Sequence, residues 1–430
     1  MPPSILNRRE ALSGLAGVAT LFGITAESIA AGTDTGDLPT HDLLRSDPEI
    51  YWDRLREEQF LMPGKRAFLN TGSLGVTARP VLEAVVNYLK KAAELEFSAL
   101  QVEQYPRWGY ETLDEERATL AEFLGCSKDE LAITHNATEA MSIIAGGMVL
   151  EHGAEILLTD QEHPSGRGPW QVREAKGELT TREIVLPTPP ENSEQLIDTI
   201  ISAIGPKTRV LSFSGIMSPT GLLMPIREIC DAARERGVTT VVDGAHMAGQ
   251  VGYRIEDMHC DYFAGSPHKW LFAPAGSGIL YIREERLDEH YPVIATAGWD
   301  DKSMKAGRFM RFGTNNRAII EGLMAGLDFA MSVGPSNIYR RIHDLAVNVY
   351  KRAESLPYVD MISSADDRLY GSLVTFQINL PDNKIRQLWQ LCDERLIWTT
   401  GNPHLRISTH VHTRPSDIDL FFETLAEAAA

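Results

Sequence analysis

The chain is 430 residues long with a formal net charge of -18, beyond the length at which one hydrophobic core usually stops growing, so a large domain with a smaller companion is expected. Its 43% hydrophobic and 23% charged residues are globular averages that exclude a disordered or fibrous chain. The acidic balance excludes a protein that wraps nucleic acid, which needs clustered Lys and Arg, but leaves room for a small anion in a local pocket.

Residues 1–31 have the layout of a cleavable export signal: Arg8 and Arg9, a moderately apolar run, then small residues around Ala30 and Ala31. The paired arginines resemble a twin-arginine signal, and the run is too short and glycine-rich for a stable membrane span, so none is expected in the mature chain. A periplasmic or secreted protein follows, with the cytoplasm as the alternative if the signal does not act. Residues 32–65 read as an N-terminal arm, helical around Leu and Trp, expected to pack on the small domain. "RAFLNTGSLG" gives a strand and a glycine turn. Pro80 opens one helix, and a second, in "ETLDEERATLAEFLG", is stopped by Gly125.

From about residue 130 short β-rich runs ("ELAIT", "AEILLTD", "TREIVL", "TRVLSFSGI", "TTVVDGA", "DYFAGS", "SGILYI") alternate with helical stretches. This predicts an α/β large domain over 66–300, with a mainly parallel sheet covered by helices and a ligand site at the carboxyl ends of the strands. Residues 301–430 change to long helices and a few strands, a smaller α+β domain. The four cysteines, Cys126, Cys230, Cys260 and Cys392, are widely spaced and form no metal-like cluster.

"FAGSPHKWLFAPAGSGILY" sets Lys269 between Ser266-His268 and a glycine-rich turn, flanked by apolar runs. A lysine so desolvated has a lowered pKa and can act as a nucleophile. Twenty-six positions upstream, "TTVVDGAH" ends a strand in Asp243, which can cap a helix or pair with a pyridinium nitrogen while Lys269 holds the aldehyde of the same ring; that is pyridoxal phosphate chemistry. The strand-to-helix turn "THNATEA" offers the Ala137 and Thr138 backbone and the Thr138 hydroxyl to a phosphate, and Ser266 and His268 add donors.

"DGAH" and "SPHKW", taken with "NATEA", "EHPS", "SPTG", "FGTNN" and "LRIST" in order, resemble the class V aminotransferase family of fold-type-I pyridoxal phosphate enzymes over roughly residues 65–425. That family includes cysteine desulfurases, kynureninases and isopenicillin N epimerases. The resemblance implies that Lys269 bonds the cofactor, Asp243 is its pyridinium partner, His246 lies near its phenolic oxygen and His163 stacks on its ring. It further implies that Thr138, Ser266 and His268 bind phosphate, that Thr314 does so from the second subunit of a homodimer with shared sites, and that Arg406 grips a substrate α-carboxylate. A desulfurase needs a mobile thiolate shortly before that arginine; "TTGNPHLRIST" has none, and Cys392 falls in a helical run beside Leu388 and Leu391.

"SPTG" is closer to the epimerase-like members, so an isopenicillin N epimerase-like enzyme is expected, acting at Cα of an amino acid or small peptide by epimerisation or transamination. A lyase, or an enzyme tailoring siderophore peptides, is the alternative. Arg308 and Arg311 are candidates for a second carboxylate or a solvated face, and Trp108 and Tyr110 for the site entrance or simple packing. A non-catalytic binding protein and a metallohydrolase on His410 and His412 are readings from other classes; the histidines lack the accompanying ligands such a metal site requires.

Overall fold

The computed structural model describes residues 38–94, 109–401 and 404–430. The export signal read over 1–31 and Trp108 lie outside them.

Two capped helices open the described chain. The Thr40 hydroxyl accepts from the Leu43 N–H at the start of His41–Ser46, and Asp47 caps Pro48–Gln59, whose proline sits in the first turn where its missing N–H costs nothing. The second helix buries Tyr51, Trp52 and Leu55 in the large hydrophobic core. It also reaches the small domain: Arg56 and Asp417, each 3% exposed, pair at 3.0 Å, and Arg341 holds Glu49. The arm therefore ties the two bodies together instead of packing on the small one alone, because its apolar face and its charged face meet different partners.

After strand β1 (Ala67–Phe68) and the helices Arg79–Ala93 and Asp114–Leu124 comes the central sheet. Gly125 takes the left-handed conformation at φ 69° that closes the second helix. The sheet is built from β2 (Leu131–Thr134), β3 (Ala154–Thr159), β4 (Leu179–Ile184), β5 (Thr208–Ser214), β6 (Thr239–Gly244), β7 (Tyr262–Gly265) and β8 (Gly278–Ile282). Its order is β2-β8-β7-β6-β5-β3-β4. Strands β7, β6, β5, β3 and β4 run parallel, and β8 is antiparallel to both of its neighbours. Strands β6, β7 and β8 are buried almost throughout, as expected where helices cover both faces.

The helix Ala318–Val333 packs on Arg79–Ala93, and its apolar residues join the large core. The same core also takes in Ile338, Ile342, Leu369, Leu373 and Val411, so packing runs continuously past the change of pattern near residue 300. The smaller body has its own core around a three-stranded antiparallel sheet of β9 (Val359–Met361), β10 (Leu373–Ile378) and β12 (His404–Ser408), ordered β12-β10-β9. Strand β11 (Ile397–Trp398) pairs in parallel with β1. Among the described residues no single helix is long and apolar enough to cross a membrane.

Replacing Arg56 by Ala strands the buried Asp417 carboxylate with only Arg414 beside it. The expected loss is about 3 kcal/mol of unfolding free energy, read as a shift of the urea midpoint.

Candidate active site

The parallel strands deliver their carboxyl ends to one edge of the sheet. β6 ends in Asp243 and Gly244; β7 ends before Ser266 and the short helix Pro267–Trp270 that carries Lys269; β3 leads into Glu162 and His163; β5 leads through Gly215 to Ser218; and β2 leads into Asn136 and the helix Ala137–Gly147.

Lys269 is largely buried, and desolvation, opposed by Asp243 and assisted by Arg406, lowers its pKa from 10.5 to about 8. Its Nζ lies 3.1 Å from His246 Nε2. His246 is buried and its pKa is pushed well below the usual imidazole range, first by burial and then by Lys269. Asp243 is also buried, and desolvation raises its pKa. One of its oxygens accepts the Ala245 N–H at 3.0 Å, and among the described residues no salt bridge pairs it with a cation. A side chain at Gly166 would place its Cβ 3.0 Å from the other Asp243 oxygen, so glycine keeps that carboxylate unobstructed.

His163 stands at the start of the helix Pro164–Ala175, where its Nδ1 accepts from the Ser165 N–H at 3.1 Å. Its ring proton is therefore on Nε2, and burial followed by Lys269 lowers its pKa. The charges of Lys269, Asp243 and Arg406 all act on this one imidazole, so the four groups lie near one another at this edge of the sheet.

Arg406 reaches that edge from β12. Its guanidinium donates to the Ser218 carbonyl (3.0 Å) and hydroxyl (2.8 Å), the Ser73 hydroxyl (3.0 Å) and Asn70 Oδ1 (3.4 Å). Its buried Nε has no partner. Among the described residues no carboxylate pairs with it, and burial alone lowers its pKa to about 10.

At the other end, the Ala137 N–H donates to the Ser266 hydroxyl at 3.0 Å, and Asn136 caps the helix by accepting from the Glu139 N–H at 2.8 Å. The exposed Thr138 side chain is left facing outward at the first turn, where the helix dipole favours an anion. His268 Nδ1 donates to the Ser277 carbonyl at 3.0 Å, so the neutral ring offers only a lone pair at Nε2. A phosphate oxygen would be met there by the imidazolium.

Several residues outside the sequence reading complete the site. Asn70, Ser73 and Gly75 belong to the turn "NTGSLG", whose Gly75 N–H donates to the His268 carbonyl at 3.0 Å; a Cβ at Gly75 would lie 2.2 Å from the Lys269 carbonyl oxygen. Glu162 is buried beside Asp243 and accepts from the Thr159 hydroxyl (2.5 Å), the Ser214 hydroxyl (2.6 Å) and the Ser214 N–H (3.1 Å). Desolvation raises its pKa to about 7. An acid directly before His163 at a strand end was the available signal for it.

Other candidates stand elsewhere. Arg308 is buried and donates to the Leu287 and His290 carbonyls, so it braces a loop and is no second carboxylate site. Arg311 Nη1 faces the Met304 sulfur at 3.6 Å. Thr314 is exposed, its hydroxyl 3.4 Å from that of Tyr110, and it makes no hydrogen bond to the Lys269 cluster of its own chain. His410 spends both ring nitrogens on the Trp270 carbonyl and the Val411 N–H, so the metallohydrolase reading loses a ligand. Among the described residues no group of three or more His, Cys, Asp or Glu could hold a metal ion.

A mostly parallel seven-stranded sheet that gathers an amine, an unpaired carboxylate and an anion-binding helix start at one edge defines a fold-type-I enzyme dependent on pyridoxal phosphate. Comparison with known proteins agrees. The family described as aminotransferase class-V matches residues 73–412, and the chain belongs to that family. Isopenicillin N epimerase of Amycolatopsis lactamdurans is 31% identical over 398 residues, covering 87% of this chain and 98% of that protein. A probable cysteine desulfurase of Mycolicibacterium paratuberculosis is 29% identical over 276 residues, 61% of this chain and 39% of the relative. Among solved structures, a C-DES mutant with glycine covalently linked to its PLP cofactor superposes with a TM-score of 0.76 at 25% identity, covering 86% of this chain and 99% of that one.

The raised pKa of Glu162 has a stability consequence. Between its ordinary 4.5 and about 7 the folded chain holds a proton that the unfolded chain has released, so this group's contribution to stability falls as pH rises through that window. The imidazoles of His163, His246, His268, His290, His410 and His412, whose pKa values are lowered, act with the opposite sign over much of the same range. The difference in urea midpoint between Glu162→Gln and the wild type, followed from pH 4.5 to 7.5, isolates the glutamate's share and is expected to move in the variant's favour as pH rises.

Proposed function

We propose that this chain acts at Cα of a free amino acid, or of a small peptide with a free amino group and an adjacent carboxylate, by epimerisation or transamination, in the manner of isopenicillin N epimerases. The observation that carries the reading is Arg406: a largely buried guanidinium without an internal carboxylate, at the same edge of the sheet as Lys269. A planar two-pronged donor suits an α-carboxylate, and it would hold the substrate with its amino group toward the lysine side.

Pyridoxal phosphate, when bound, supplies an aldehyde for amines and an electron-accepting ring that acidifies the α-proton. The residues fit it: Lys269 is the amine for the aldehyde, Asp243 the partner for the ring nitrogen, His246 and His163 lie beside them, and Ala137, Thr138, Ser266 and His268 form the phosphate end. Once its amine is free, Lys269, with a pKa of about 8, is close enough to neutrality to take and return a proton at Cα. Buried Asp243 would hold its negative charge for the protonated ring nitrogen, and Ser73, Asn70 and Ser218 fix the plane of Arg406.

A desulfurase fits less well. Burial pushes the thiols of Cys126 and Cys230 up to about 12 and that of Cys392 to about 11, and Cys392 is packed in the small core with Leu388. The resemblance to C-DES keeps a β-eliminating lyase as the second reading.

A homodimer with shared sites is part of the proposal. Thr314 is exposed with its hydroxyl against that of Tyr110, and Leu82, Val86 and Leu89 expose an apolar stripe on the helix Arg79–Ala93. Export by the twin-arginine route, with the cofactor loaded first, completes it.

Borohydride treatment of the yellow protein should fix the cofactor on Lys269, seen by peptide mass. Lys269→Ala should lower turnover at least about a thousandfold, Arg406→Lys should raise KM about tenfold or more, and Cys392→Ala should leave turnover intact. Turnover in deuterated water separates the outcomes: label at Cα without keto acid marks epimerisation, keto acid marks transamination, and a pyruvate-like product with a released β-group marks the lyase. For the dimer, mixing inactive Lys269→Ala with weakened Thr314→Val chains should restore activity through hybrid sites, while sedimentation as a monomer would exclude sharing.

A further inference from the structure

Trp270 directly follows the lysine, is fully buried, and its indole Nε1 donates to His246 Nδ1 at 3.3 Å. An indole N–H can only donate, so Nδ1 must present its lone pair, and the proton of a neutral His246 ring must sit on Nε2. That nitrogen is the one 3.1 Å from Lys269 Nζ. We infer that Trp270 is a positioning residue which locks His246 in the Nε2–H tautomer, so that the imidazole donates to Lys269 and favours the free amine over the ammonium.

The indole cannot turn away to follow a different tautomer. Its backbone carbonyl receives His410 Nε2 at 3.1 Å, and its ring stacks on His410 with centroids 5.8 Å apart and planes 21° apart. His246 is anchored in turn, its carbonyl accepting from Gln250 Nε2 at 2.7 Å. An ammonium at 269 would point a proton at the Nε2–H, whereas the free amine turns its lone pair toward it. The other charged and titratable groups facing this pair are Asp243, which favours the ammonium, and Arg406, His163 and His268, which act with burial on one or both members against their charged forms. The inference deepens the proposed function and rests on Lys269 being its reactive amine.

The test uses the tautomer and the amine separately from turnover. In the full chain stripped of cofactor, the rate of Lys269 labelling by trinitrobenzenesulfonate against pH gives the midpoint of the amine. Trp270→Phe keeps the ring and removes the N–H; the midpoint should rise by about one pH unit, the size expected for loss of one hydrogen bond that favours the neutral form. An unchanged midpoint in a folded variant overturns the inference. Should the variant fail to fold, 15N spectra of the wild-type chain with labelled histidine decide it, with His246→Gln used to assign the signal: a bare Nδ1 and protonated Nε2 are expected, and the reverse overturns it. Both readouts remain valid if borohydride finds no cofactor on Lys269, a result that would sink the proposed function alone.

Discussion

Loss of water around charged groups is the constraint on which this molecule turns. At one edge of the sheet it buries an amine, two carboxyls, a guanidinium and several imidazoles, and these largely do not neutralise one another. Lys269 touches an imidazole, Asp243 a backbone N–H, and Arg406 only hydroxyls and neutral oxygens. Burying an ion without a close partner costs several kcal/mol, so such a set persists only on a scaffold with stability to spare. The two apolar cores and the arm that joins them supply that scaffold. These charges suit the cofactor, whose ring nitrogen is cationic and whose phosphate is an anion.

The scaffold also explains why the pieces come from so far apart in sequence. Parallel strands bring their ends to one line, which gathers residues 137, 163, 218, 243 and 269 without any long loop. Arg406 comes from the other body and needs a separate bridge. The turn from Asn70 to Gly75 provides it, with Asn70 and Ser73 against the guanidinium and the Gly75 backbone against the lysine helix. Its glycine is a matter of clearance, since the carbonyl of Lys269 leaves no room for a Cβ.

Much of this was legible in the sequence, for identifiable reasons. The buried strands read as short apolar runs because both faces are covered, and Lys269 and Asp243 stood out because they end or follow such runs. Glu162 was missed since an acid next to a histidine looks like an ordinary strand end until its three donors are in place. Trp270 carried no signal of its own in the sequence; its N–H acquires meaning only where the fold places it onto His246. The bridging turn was seen as a turn, but its contacts to Arg406 lie more than three hundred positions away and that to His268 nearly two hundred, beyond the reach of any local pattern. Arg308 went the other way: its guanidinium donates to the Leu287 and His290 carbonyls, and a basic residue before a turn looks the same in sequence whether it braces carbonyls or awaits a ligand.

The guanidinium of Arg406, held among neutral oxygens, bears on selectivity under the proposed function. In the carboxylate-binding role proposed for it, it would accept many small acids, acetate or keto acids among them, so discrimination would fall to the lysine end, where a molecule must also bring an amine. Acids without an amine would then act as blockers, and amines without an acid would be poorly retained.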